Sequence, residues 1–203
     1  MGYYFKQSLF GYVYTFIMGF LSFGVYFIQN IYAECILNVI IIVFYLIIIG
    51  HMVFKEGEKA VRVRHANDIE RAYIIKTGEP RPLKLKEEYK PYKGFLIGVF
   101  TCMPMLVGLF IHLVLGLSLG EAYIGAGMVT NVFYFSFYWM YGMFLVGHGT
   151  GVGLTWAQDF ILLYAFVIIV AVLGVEYILG AKKSQKQFDK IDDINKELYG
   201  DKQ

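Results

Sequence analysis

"RHANDIERAYIIKTGEP" occupies residues Arg64–Pro80. It is densely polar, yet it lies between two of the most apolar stretches of a chain that is 58% hydrophobic and only 17% charged. Soluble domains carry about 25% charged residues. A fold of 203 residues cannot hide this much apolar surface from water, so the solvent for most of it is lipid. A polar segment in such a chain is a loop outside the bilayer, and its placement fixes how the chain is threaded.

The cations around it carry the argument further. All eighteen Lys and Arg fall in three places: Lys6, eleven residues between Lys55 and Lys93, and six between Lys182 and Lys202. None lies from Gln7 to Phe54 or from Gly94 to Ala181. Cationic residues beside membrane spans stay in the cytoplasm. The three clusters are therefore expected on the cytoplasmic side, and each gap between them crosses the bilayer an even number of times. The net charge of +2 decides nothing about partners by itself.

A helical crossing takes about 20 apolar residues. The first gap fits two: "LFGYVYTFIMGFLSFGVYFI" leaving the cytoplasm and "AECILNVIIIVFYLIIIGHMVF" returning. The first is expected to be a retained span, because no small-residue cleavage site follows it. In the second gap "GFLIGVFTCMPMLVGLFIHLVLGL", with a kink expected near Pro104, and "FILLYAFVIIVAVLGVEYILG" are clear spans. The segment between them is apolar and long enough to cross. It carries "FYFSFYWMY", seven aromatics in nine residues, and the glycine-rich "GHGTGVG". Trp and Tyr favour the membrane interface, and irregular backbone at membrane depth has to be shielded. Residues 122–150 are accordingly expected to be re-entrant or interfacial, with Phe133–Phe144 in the outer leaflet. Five spans with an external tail, or four short spans in this gap, are the alternatives.

The fold class expected is thus an all-α integral membrane protein with four transmembrane helices in two hairpins. Residues 1–54 form the first hairpin and residues 55–93 a basic cytoplasmic loop. Residues 94–181 form the second membrane unit, and residues 182–203 an amphipathic cytoplasmic tail. Within the loop, helix formers dominate from Glu58 to Thr77, and Gly78 is a plausible C-terminal cap. Glu58 with Arg62 and Arg64 with Asp68 have the i,i+4 spacing of exposed ion pairs. Val63, Ala66, Ile69 and Tyr73 fall on one stripe. Pro80 and Pro82 exclude a regular helix beyond. Cys35 and Cys102 belong to no CxxC motif and lie at different depths, so no disulfide is expected between them.

Four acidic residues lie outside the basic clusters. Glu34, Glu121 and Asp159 map to the outer boundary, where no cation can pair with them, and His148 is near. Carboxylates with an imidazole can ligate a divalent cation, so these four are a candidate outward cation site. Glu34 and Asp159 also suit the positive ends of helix dipoles, and water can solvate them there. Glu176 lies inside the last span, where a carboxylate is a functional candidate by default. His51 and His112 share the membrane with it, and the three make a candidate intramembrane polar site. "GHGTGVG" lacks the lysine of a nucleotide loop, and no HExxH or GxSxG motif occurs. No cofactor and no nucleic-acid partner is expected.

The best-fitting reading is a non-enzymatic subunit or scaffold in the cell membrane, with both termini cytoplasmic. Its loop and tail dock a protein partner or a second copy, and its basic loop meets anionic lipid headgroups. A small transporter or channel component for a cation or small solute is the first rival. A membrane enzyme with an outward His/carboxylate site is the second.

Overall fold

The computed structural model describes residues 2–25, 28, 30–78, 89–119 and 163–200. They form four α-helices, α1 (Gly2–Val25), α2 (Ile31–Thr77), α3 (Lys93–Leu119) and α4 (Leu163–Tyr199), and no strand occurs among them. Three of these, α2, α3 and α4, are long and apolar enough to cross a membrane. The stretch expected to be embedded, 122–150, and the connector with Pro80 and Pro82 lie outside the described residues.

Two of these helices are longer than one crossing needs. At 1.5 Å per residue, the 47 residues of α2 extend about 70 Å, more than twice a hydrocarbon core of about 30 Å. The 37-residue α4 is likewise too long for one crossing. Apolar sequence accounts for α2 up to Phe54 and α4 up to Ala181; the charged remainder projects beyond. Asn30 starts α2 by accepting hydrogen bonds from the backbone N–H of Tyr32 and Ala33, at 3.0 and 3.2 Å. The helix runs without a break through the segment expected to be helical, Glu58–Thr77, and stops at Gly78. There φ is 68°, and the glycine N–H bonds the Ile74 carbonyl. A side chain at that φ would be strained. The i,i+4 pair Arg64–Asp68 forms, at 4.0 Å.

Side-chain contacts give the helix directions. Thr15 meets Tyr45, and Ser22 meets Asn38, so α1 and α2 are antiparallel. Gly50 lies beside Glu176, Gly57 beside Tyr177 and Ala181, and His65 beside Phe188, so α2 and α4 run parallel. Gly94 packs on Tyr177 and Gly98 on Val170, so α3 and α4 are antiparallel. The start of α1, the end of α2, the start of α3 and the end of α4 therefore share one end of the bundle.

The core follows the seams between these helices. Tyr45, Ile49 and Val53 of α2, Ile97, Cys102 and Met105 of α3, and Ile169, Leu173 and Tyr177 of α4 are buried. Small residues let the backbones approach, as in membrane bundles generally. An added Cβ on Gly57 would overlap the Tyr177 carbonyl, and one on Gly180 would overlap the Phe54 carbonyl. Gly98 faces the Val170 Cα in the same way, and Gly11 faces the Thr101 side chain.

Candidate functional site

The most elaborate arrangement lies where α2, α3 and α4 meet at the edge of the apolar span. Tyr177, fully buried, is its centre. Gly57 admits its carbonyl on one side and Gly94 its Cβ on the other. Its ring stacks on Tyr89, with centroids 5.7 Å apart and 12° between the planes. Tyr89 is thus pinned just before α3 begins. Burial raises the Tyr89 hydroxyl above its ordinary pKa, and Arg64 opposes that shift.

Next to Gly57 in the chain lies Glu58, 5% exposed. A buried carboxylate is costly unless it is paired, and this one is paired twice. Lys183 of α4 approaches Oε1 at 3.0 Å, and Lys55 of α2 approaches Oε2 at 3.2 Å. The Lys183 hydrogen bond, with help from Lys55, holds the Glu58 carboxyl below the usual carboxylate range against the opposing effect of burial. The Lys183 ammonium also sits 5.3 Å over the Phe54 ring, a cation–π contact. Further out, the His65 and Phe188 rings stack at 4.2 Å. Glycine crossing, carboxylate clamp and ring stack form one continuous seam, joining α2 and α4 across the boundary and into a two-helix arm.

The candidates read from the sequence are not members of the Glu58 clamp. Glu121, His148 and Asp159 lie outside the described residues, as does the side chain of Glu34 in the first turn of α2. His51 is exposed and stacks on Phe54 at 6.4 Å. Glu176 is half-buried, with its stem against Gly50. Among the described residues no ion pair or hydrogen bond joins the two. The His112 side chain is outside the description. Its position on α3 is eighteen residues beyond Gly94, about 27 Å along the axis from the Tyr177 layer. Among the described residues no group of three His, Cys, Asp or Glu side chains is disposed to hold a metal ion.

Glu58 pairs with Lys55 and Lys183 rather than along the Arg62 spacing. The stripe Ala66, Ile69 and Tyr73 faces out, while Ala60, Val61 and Asn67 are buried. A signal for the seam does exist in the sequence. Gly50 and Gly57 of α2 are small residues seven apart, the repeat that keeps one face against a neighbour, and both lie against α4. Comparison with protein-family models, with curated proteins and with solved structures finds no match.

Proposed function

We propose that the protein is a non-enzymatic, multi-pass subunit or scaffold of the cell membrane whose cytoplasmic arm docks a protein partner. In this reading α1 to α4 are four crossings in two hairpins, with residues 122–150 entering the outer leaflet without crossing. The termini, residues 55–93 and residues 182–203 are cytoplasmic. Two observations support that threading. Every cation lies in those segments, and the described helix ends nearest them share one end of the bundle.

The observation that carries the docking role is the apolar surface of the arm. Ile69, Tyr73 and Ile75 on α2, and Ile191, Ile194 and Leu198 on α4, are exposed beyond the membrane edge, Ile75 by 84% and Leu198 by 69%. Lipid covers the exposed apolar residues of the spans but does not reach this distance. Ile69 and Tyr73 share one side of α2, and Ile191, Ile194 and Leu198 share one side of α4; exposed apolar faces in water mark interaction surfaces, and burying them on a partner yields about 25 cal/mol per Å². The arm itself is held by the Glu58 clamp and the His65–Phe188 stack, so a partner meets a preformed surface.

The test is photo-crosslinking from position 198 in intact membranes, with Ile191→Ser/Ile194→Ser as comparison. One stoichiometric adduct that disappears in the double variant, while the variant's helical circular dichroism is unchanged, supports docking. Absence of any adduct in wild type overturns it. Threading is tested separately with cysteines at Thr77 and Gln187, both exposed, in a background lacking Cys35 and Cys102. Labelling of either by an impermeant thiol reagent in intact cells overturns it.

A further inference from the structure

A second surface of α4 points to a different ligand. A groove of about 420 Å³ runs along the helix where it leaves the apolar span. The described residues lining it are Leu179, Lys182, Lys183, Lys186, Gln187 and Lys190. Lys183 is turned toward Glu58. Among the described residues no carboxylate lies within ion-pair distance of Lys182, Lys186 or Lys190. Asp189, beside them, accepts a hydrogen bond from Gln185 at 3.0 Å.

We propose that this face of α4 binds one anionic phospholipid, its phosphate on Lys182, Lys186 and Lys190 and its acyl chains along Ala171, Val175 and Leu179. At 3.6 residues per turn these six residues fall within about 100° of each other around the helix. All six are exposed. The apolar three lie on the membrane side and the lysines follow directly, so a lipid standing against the helix meets each part at its own depth.

The lysine band is also confined to that depth. From Lys182 to Lys190 it rises about 12 Å. Asp189 stands at the edge of the same sector, bonded by Gln185, and the next residues in it beyond Lys190 are Asp193 and Glu197, both exposed, so past the lysines the sector is acidic. A face built for an acidic protein would have no reason to reverse sign there. Long lysine stems suit the boundary, since they lie on apolar surface while the ammonium reaches the polar layer. The inference rests on α4 crossing the membrane and is independent of the partner docked at the arm's tip.

The experiment is native mass spectrometry of the full chain, delipidated in detergent and offered phosphatidylglycerol or phosphatidylcholine with identical acyl chains. The expected result is one retained phosphatidylglycerol, preferred on the order of 100-fold, since each surface lysine strengthens binding to anionic lipid several-fold. Lys182→Gln/Lys186→Gln/Lys190→Gln is expected to remove the preference, and Lys196→Gln to leave it. Glycerol phosphate, which lacks acyl chains, is expected not to compete. Equal retention of the two lipids by wild type, or an unchanged preference in the triple variant, overturns the proposal. So does effective competition by glycerol phosphate, which would assign the groove to a soluble anion. Should the triple variant fold poorly, salt decides on wild type: the preference is expected to weaken as ionic strength rises, and indifference to salt overturns it.

Discussion

The two seams of α2 are built on opposite principles. Against α1 it is joined by hydroxyl and amide groups: Thr15 with Tyr45 at 2.7 Å, and Ser22 with Asn38 at 2.7 Å. Against α4 it is joined by the absence of side chains, at Gly57 and Gly180, and then by an ionic clamp where the apolar sequence ends. Polar bonds between membrane helices contribute little, averaging about 0.6 kcal/mol, because the separated helices find other partners. Close backbone approach brings whole rows of atoms into contact and has no substitute. The α2–α4 seam should therefore dominate stability, and the α1–α2 seam should set register at small energetic cost.

The largest expected effect is at the centre of the strong seam. Tyr177→Ala removes a fully buried ring that stacks on Tyr89. Replacing a buried aromatic by alanine costs about 3–5 kcal/mol, read as a large drop in the thermal midpoint in detergent. Next come Gly57→Ala and Gly180→Val, each expected to cost about 1–3 kcal/mol through overpacking, although alanine is worth up to about 1 kcal/mol over glycine in an open helix. Gly24→Ala is the internal control, because nothing lies within 4 Å of an added Cβ there. It should be neutral or stabilising. If Gly57→Ala and Gly24→Ala behave alike, the backbone approach at Gly57 is not what holds α4.

The clamp ranks third. Glu58→Gln is expected to cost about 1 kcal/mol. A hydrogen bond to a charged group is worth about 1.5–3 kcal/mol, discounted because both lysines are about half exposed, at 55% and 54%. The pH dependence has a definite sign. The folded Glu58 carboxyl lies below its ordinary value, chiefly through Lys183. Its contribution is thus present above the unfolded pKa of about 4.3 and fades as pH falls through the lower folded value. The stability gap between wild type and Glu58→Gln should be flat from neutral pH to about 5 and close below about 4. A gap that instead widens on acidification would mean that the carboxylate is not stabilised by its lysines.

This ordering bears on what a sequence can disclose. Apolar runs long enough to cross, the confinement of cations and the Gly78 stop were all legible, because each rests on local chemistry. The Glu58–Lys183 pair was not, since its members are 125 residues apart and nothing local selects Lys183 over Lys182 or Lys186. The stripe Val63, Ala66, Ile69 and Tyr73 shows the complementary failure. Periodicity locates an apolar face but not what covers it, and the neighbouring face with Ala60, Val61 and Asn67 is the one that is buried. The small residues seven apart were visible and would have chosen correctly. At the outward candidates Glu34, Glu121, His148 and Asp159, composition indicates ligand chemistry without indicating whether the groups meet.

The smallest effect is expected at Tyr45→Phe, and it tests the weak seam most directly. Thr15 donates its single hydroxyl proton to the Gly11 carbonyl at 2.9 Å. Toward Tyr45 it is therefore the acceptor, and the phenol is the donor. Removing the phenol oxygen leaves the Thr15 proton where it was and strands no donor, only one lone pair. The ring, buried in the α1–α2 interface, keeps its packing. The cost should then be near the average for such bonds, about 0.6 kcal/mol, and well below that of Gly57→Ala. Thr15→Val is expected to cost more, because it removes both the bond to Tyr45 and the bond to the Gly11 carbonyl, each worth about 0.5–1.5 kcal/mol. Paired thermal midpoints of the two variants test the ranking. Should Tyr45→Phe destabilise more than Gly57→Ala, the hydrogen-bonded seam would be the stronger one.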